Sequence, residues 1–197
     1  MTRLGWKAAG HPTRDDVDAA QGAVRALLAA LGEDVDREGL RETPMRVVKF
    51  LSGLMNPEPF KMTTFDAEGT SEMIVQAGIP FSSLCEHHML PFTGTAVVAY
   101  IPAGRIVGLS KLARAVQFCA SGLKNQERVT RAVADLLTAE LEPVGVGVLL
   151  RARHSCMEIR GVKAHDAWTT TSDLRGAIFD KPEARAEFLA LAREGGR

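Results

Sequence analysis

The chain has 197 residues, 46% apolar and 24% charged, the composition of a folded protein with a true core rather than of a disordered or low-complexity segment. Its formal net charge is zero, so a general nucleic-acid or membrane-surface binder is not expected and any anion recognition must be local. No run of signal-peptide form opens the sequence and none approaches the roughly 18 apolar residues of a membrane span, which gives a cytoplasmic expectation.

In chain order, Thr13-Arg14-Asp15-Asp16 has the form of a capping box, with Asp in place of the usual Glu or Gln. Val17, Ala20, Val24, Leu27, Leu28 and Leu31 then recur at the spacing of one helical face, and Gly32 ends it. Thr43-Pro44 reads as a cap followed by a first-turn proline, opening a second helix through Val47, Val48 and Leu51. These two helices make an N-terminal helical arm, placed at residues 1–70. The remainder, 71–197, forms the main domain.

Met73-Ile74-Val75 and Thr95 to Ile101 read as strands, the second turning at Pro102-Ala103-Gly104 into Ile106-Val107. Ser110 is placed as the cap of a helix through Leu112, Ala115, Val116 and Cys119, broken at Gly122. A longer helix follows, with Val129, Val133, Leu136 and Leu137 on one face. Val144 to Leu150 opens a strand running toward His154 and Cys156; Arg160-Gly161 turns it into a hairpin with Trp168 to Ser172, and Pro182 to Leu191 closes as a helix. Strand pairs with helices between them predict an α+β fold, with a largely antiparallel sheet and helices on one face. Such a sheet leaves open edges that an oligomer would close.

Three cysteines without a secretory leader argue against a disulfide framework. Cys85-Glu86-His87-His88 has a Cys-x-x-His spacing, and His154-Ser155-Cys156 lies far downstream. On a strand, residues two apart share a face, so His154 and Cys156 both reach one site. Thiolate and imidazole are ligands that zinc prefers. A lone buried cysteine is more often packing than a ligand, and Cys119, between apolar helical positions, reads that way. The others differ, because three of the five histidines sit within three residues of two of the three cysteines. Structural zinc sites take four protein ligands, whereas catalytic ones keep a position open. Cys85 and His88 make one pair and Cys156 a third ligand. His87 cannot easily share a metal with its neighbour, and His154 is either a fourth ligand or a proton donor beside the metal.

Lys111 and Arg114 are three apart on one helix, Arg46 and Lys49 on another, and Arg160 follows the His-Cys strand. Singly, each is an ordinary surface charge; converging, they would hold a polyphosphate. Gln126-Glu127 opens the longer helix, where a glutamate commonly just complements the helix dipole. In a nucleotide pocket its carboxylate would accept from N1–H and the 2-amino group of guanine, donors that adenine lacks.

Ser83 to Phe92, Val98-Ala99-Tyr100-Ile101-Pro102, Gly108 to Arg114, Gln126-Glu127-Arg128 and His154-Ser155-Cys156-Met157 together resemble GTP cyclohydrolase I of the zinc-dependent type, over about residues 15 to 195. Glu42-Thr43-Pro44-Met45-Arg46 is similar to the family's motif in the helical arm. The resemblance implies a tunnelling fold (T-fold), a homodecamer with active sites at subunit interfaces, and GTP as the substrate. It implies Cys85, His88 and Cys156 as zinc ligands and His87, His154 and Ser110 as catalytic residues. It also implies Gln126 and Glu127 for guanine, and Lys111, Arg114, Arg160, Arg46 and Lys49 for the triphosphate. The implied reaction yields 7,8-dihydroneopterin triphosphate and formate, the first step of pterin and tetrahydrofolate biosynthesis. Lys124-Asn125 and the His165 to Trp168 loop depart from the usual pattern. The rival readings are a T-fold relative with other purine or pterin chemistry, such as a nitrile reductase, and an inactive zinc-stabilised paralogue. The zinc triad opposes the first, and the retained His87, His154 and Glu127 oppose the second.

Overall fold

A computed structural model describes residues 13–194, which fall into two compact units, 13–57 and 58–194. In the smaller unit, α1 (Arg14–Ala30) starts at the expected capping box: Thr13 Oγ1 accepts from Asp16 N at 3.2 Å, and Asp16 Oδ2 accepts from Thr13 N at 2.9 Å. Those bonds hold the Asp16 carboxyl below its ordinary pKa. The second helix, α2 (Thr43–Met55), is entered differently from the expectation. Glu42, with φ −97° and ψ −3°, precedes it, and Thr43 is already helical. The chain arrives coiled, with Thr43 N bonded to Leu40 O, so no extended residue remains to cap it with a side chain.

The larger unit carries β1 (Thr64–Asp66), β2 (Ile74–Cys85), β3 (Pro91–Ile101), β4 (Arg105–Val107), β5 (Leu123–Lys124), β6 (Gly145–His154) and β7 (Thr169–Gly176). Between and after them come α3 (Leu109–Ala120), α4 (Gln126–Leu141), α5 (Ser155–Glu158), α6 (Ala177–Asp180) and α7 (Pro182–Glu194). Five strands form one sheet in the order β5-β2-β3-β6-β7, antiparallel throughout except that the short β5 lies parallel to β2. β1 and β4 form a separate two-stranded ribbon. The unit therefore takes in residues before 71, since Thr64–Asp66 pairs with Arg105–Val107 and Met62 is in the core.

The α+β, largely antiparallel fold is as the sequence predicts. Phe92, Ala96, Val98 and Tyr100 of β3 and Val148, Leu150 and Ala152 of β6 meet Leu112 and Val116 of α3 and Val133 and Leu137 of α4 on one face. The other face is apolar only toward one end, where Val97 and Ala99 pack with Ile178, Phe188 and Ala192 of α6 and α7. The two long helices thus share a face, and the closing helix adds cover on the opposite one.

Two strands are longer than their apolar runs suggest. β2 continues for 12 residues past a register shift between Gln76 and Ile79, where Gly78 adopts φ +69°. That bulge breaks the period-two pattern, so the sequence shows only the first few residues as a strand. β6 runs to His154 and stops, because Ser155–Glu158 coils into a helical turn.

Candidate functional site

One end of the sheet gathers the loops that hold the candidate site residues. β2 ends at Cys85, β3 starts at Pro91, β6 ends at His154 and β7 starts at Thr169. The two-residue β5 pairs Lys124 with Cys85, which sets the N-terminus of α4 beside the Cys-Glu-His-His loop. Glu86 N donates to Lys124 O at 3.0 Å. The loop closes on itself: Cys85 O accepts from His88 N and Met89 N, and Cys85 N donates to Leu90 O. Met89 takes the left-handed conformation, φ +55°, that so tight a reversal requires.

Within that frame Cys85, His88 and Cys156 bring one donor atom each to within 4.8 Å of one another. Cys85 Sγ lies 3.9 Å from Cys156 Sγ and 3.9 Å from His88 Nδ1. Two thiolates on a tetrahedral zinc with bonds of about 2.3 Å stand roughly 3.7 Å apart, so the donor set and its spacing fit such an ion. His87 Nδ1 is also close to Cys85 Sγ, at 3.7 Å, yet only His88 groups with both sulfurs. Burial, then the adjacent Cys85 thiol, raise the Cys156 pKa, with Arg160 pulling it down; a metal would displace the proton so held. Arg160 reaches His88 Nε2 through its Nη1. Cys119 is elsewhere, fully buried in the core, and burial pushes its thiol up to about 12.

His154 and Cys156 do not share a strand face, contrary to the i, i+2 expectation. The helical turn of α5 begins between them, so the thiol joins Cys85 while the imidazole turns to α4 and β3. The His154 ring stacks on Phe92, with centroids 4.6 Å apart and planes 3° from parallel. Its Nε2 meets Gln126 Oε1 at 2.9 Å. Burial lowers its pKa, and the nearby Glu127 carboxylate works in the opposite direction.

Gln126 is 1% exposed and its side chain is fully engaged. Its Nε2 lies 3.2 Å from Leu150 O, 3.1 Å from Thr169 O and 3.1 Å from Thr171 Oγ1. Glu127, one residue on, is exposed. Ser110, Lys111 and Arg114 sit in the first turns of α3, which Gly108 rather than Ser110 precedes as the cap. They make no side-chain hydrogen bond or ion pair with the described residues. Arg46 and Lys49 lie exposed on α2 in the other unit, Arg46 paired with Glu42 at 2.6 Å.

The two departures in the sequence have structural uses. Asn125 caps α4, accepting from Arg128 N at 2.8 Å, and donates through Nδ2 to Glu86 Oε1 at 2.8 Å. It thereby ties the helix that carries Gln126 and Glu127 to the Cys-Glu-His-His loop. The His165 to Trp168 loop is fastened by two arginines of β6: Arg153 donates to His165 O at 2.6 Å, and Arg151 lies 4.5 Å above the Trp168 ring. Glu86, Asn125, Thr130 and Thr171 were not singled out from the sequence as site residues. Only Asn125 had a local signal, as an asparagine just ahead of a helical pattern.

Residues 20–193 match the family described as GTP cyclohydrolase I. The chain belongs to the GTP cyclohydrolase I family. A GTP cyclohydrolase 1 of Synechococcus sp. (strain JA-2-3B'a(2-13)) is 47% identical over 177 residues, 87% of this chain and 77% of that protein. One from Brevibacillus brevis is 46% identical, covering 90% of this chain and 98% of that one, and one from Aquifex aeolicus is 46% identical, covering 90% and 97%. A crystal structure of the archaeosine synthase QueF-Like in the apo form aligns with 53% of this chain at 13% identity and a TM-score of 0.44. Membership of the GTP cyclohydrolase I family accounts for the order of the motifs, and the fold is the family's T-fold.

Proposed function

We propose that this protein hydrolyses GTP to 7,8-dihydroneopterin triphosphate and formate, using zinc held by Cys85, His88 and Cys156. The observation that carries the reading is the convergence of those three donors within 4.8 Å, on the same end of the sheet as His154 and the start of α4. When bound, the zinc supplies Lewis acidity that makes water a nucleophile at neutral pH for attack on C8 of the purine.

The chain's own groups do the rest. Glu127 accepts from N1–H and the 2-amino group of guanine, which rejects adenine because its carboxylate would lose both donors. His154 gives a proton to N7 as charge develops there; burial weakens its hold on that proton and Glu127 restores part of it. Arg160, beside His88, would offer its guanidinium to the phosphates once His88 holds the metal. Lys111 and Arg114, with Arg46 and Lys49 from the helical unit of a neighbouring subunit, complete the triphosphate site. His87 and Ser110 handle protons in the later sugar steps. The assembly is a homodecamer working in the cytoplasm; among the described residues no helix is long and apolar enough to cross a membrane.

Purified, metal-analysed protein incubated with GTP and with ATP tests this by formate release and by the fluorescence of oxidised neopterin. Turnover of GTP alone, abolished by chelation and by Cys156→Ala, is expected. Bound zinc with no product from GTP would sink the assignments of His87 and His154.

A further inference from the structure

We propose that Gln126 is a positioning residue for His154, and that with Thr171 and Thr130 it fixes the imidazole as the Nε2–H tautomer. The fixing of the ring stands on the hydrogen-bond network alone; its bearing on kcat rests on the function proposed above.

The network allows one arrangement of hydrogens. Leu150 O and Thr169 O are backbone carbonyls that only accept, and both lie within hydrogen-bond distance of one end of the Gln126 amide, at 3.2 and 3.1 Å. That end must be the NH2 group. The amide oxygen is therefore the atom that meets His154 Nε2 at 2.9 Å, and an amide oxygen only accepts. So Nε2 carries the hydrogen.

The hydroxyls close the circuit. Thr130 Oγ1 donates to Gln126 O at 2.9 Å, which spends its hydrogen. At 2.6 Å from Thr171 Oγ1 it must then accept, so Thr171 donates to Thr130, and its oxygen, 3.1 Å from Gln126 Nε2, shares the two amide hydrogens with the carbonyls. Gln126 is 1% and Thr130 2% exposed, and a flip of the amide would set its oxygen against two carbonyls. Phe92, parallel to the imidazole at 4.6 Å, holds the ring plane. With Nε2 so committed, Nδ1 is the ring nitrogen that Gln126 does not hold.

The same geometry separates two roles for Gln126. Both ends of its amide have protein partners and the side chain is buried, so it offers no open surface to a guanine edge. It acts on substrate through His154.

The test uses metal-loaded protein labelled with 15N-histidine, read by magic-angle-spinning NMR, with the His154 resonances among the five histidines found by difference from His154→Gln. A protonated Nε2 and a bare, pyridine-type Nδ1 are expected in the unmodified protein, whether or not it turns over GTP. A protonated Nδ1 with bare Nε2 would overturn the proposal. Gln126→Met keeps volume and removes the acceptor; a mixed tautomer signal is expected, with kcat down about 100-fold and KM for GTP within about twofold, in line with the general-acid contribution at stake. Thr171→Val, which touches neither imidazole nor substrate, should lower kcat by about tenfold with the same unchanged KM. A tenfold rise in KM at constant kcat in Gln126→Met would return the residue to substrate binding. If that variant does not fold, the unmodified spectrum and Thr171→Val still decide.

Discussion

The two ends of the sheet are built on different physics. At the far end, where β3 finishes and β6 starts, both faces are buried: Val98 and Tyr100 face α3 and α4, and Val97 and Ala99 face α6 and α7. At the chemical end only one face is covered, so Phe92 is fully buried while its neighbour Thr93 is exposed. The far end is held by close apolar packing and tight backbone. The chemical end is held by hydrogen bonds among Glu86, Asn125, Gln126, Thr130 and Thr171. One should therefore tune stability and the other geometry.

The sharpest way to break that division is Gly176→Ala at the far end. Gly176 sits at φ +54°, and a Cβ there would lie 2.3 Å from Val144 O. Backbone must move to admit it, at a cost of about 3 kcal/mol, lowering Tm by roughly 6–12 °C. Calorimetry should show that loss while kcat per folded chain stays unchanged; a matching fall in kcat would mean the ends are coupled.

Tyr100→Phe is milder. The Tyr100 hydroxyl accepts from Val107 N at 2.9 Å, tying β4 to the buried sheet, and burial keeps that phenol above its ordinary pKa. Its loss leaves an amide without its partner and should cost about 1–2 kcal/mol in denaturant unfolding, again with GTP turnover intact.

Asn125→Ala is the smallest perturbation to stability, about 1 kcal/mol for a lost N-cap. It acts at the chemical end, however, by removing the shorter of the two bonds that tie Glu86 to α4, the other coming from Arg128 Nη1 at 3.4 Å. Zinc affinity measured by chelator competition should fall roughly tenfold, as expected when an outer partner of a metal loop is removed. An unchanged zinc affinity would show that Cys85 and His88 are held by their own turn alone.

Legibility followed the range of the interactions. The capping box of α1, the amphipathic faces of α3 and α4 and the β6–β7 hairpin depend on neighbours in sequence and could be read directly. The bulge at Gly78 hid most of β2, since one extra residue shifts the alternation. The turn into Ile106-Val107 marked β4, but its partner β1 lies about 40 residues earlier and left no local pattern. At the site, residue type and spacing gave the donor set, because few side chains bind a soft metal. They gave a wrong path for Cys156, placing it on a strand that ends two residues earlier.

By itself, then, the sequence determined the family, the elements and the chemical identity of the donors, all of which reside in short motifs. Only the tertiary structure decided what those groups face. It turns His154 away from the thiols onto Gln126 and gives Asn125 a partner in Glu86. The physical reason is that hydrogen-bond direction and donor grouping are properties of atoms brought together from β2, β6, β7 and α4, and no stretch of one strand or helix encodes them.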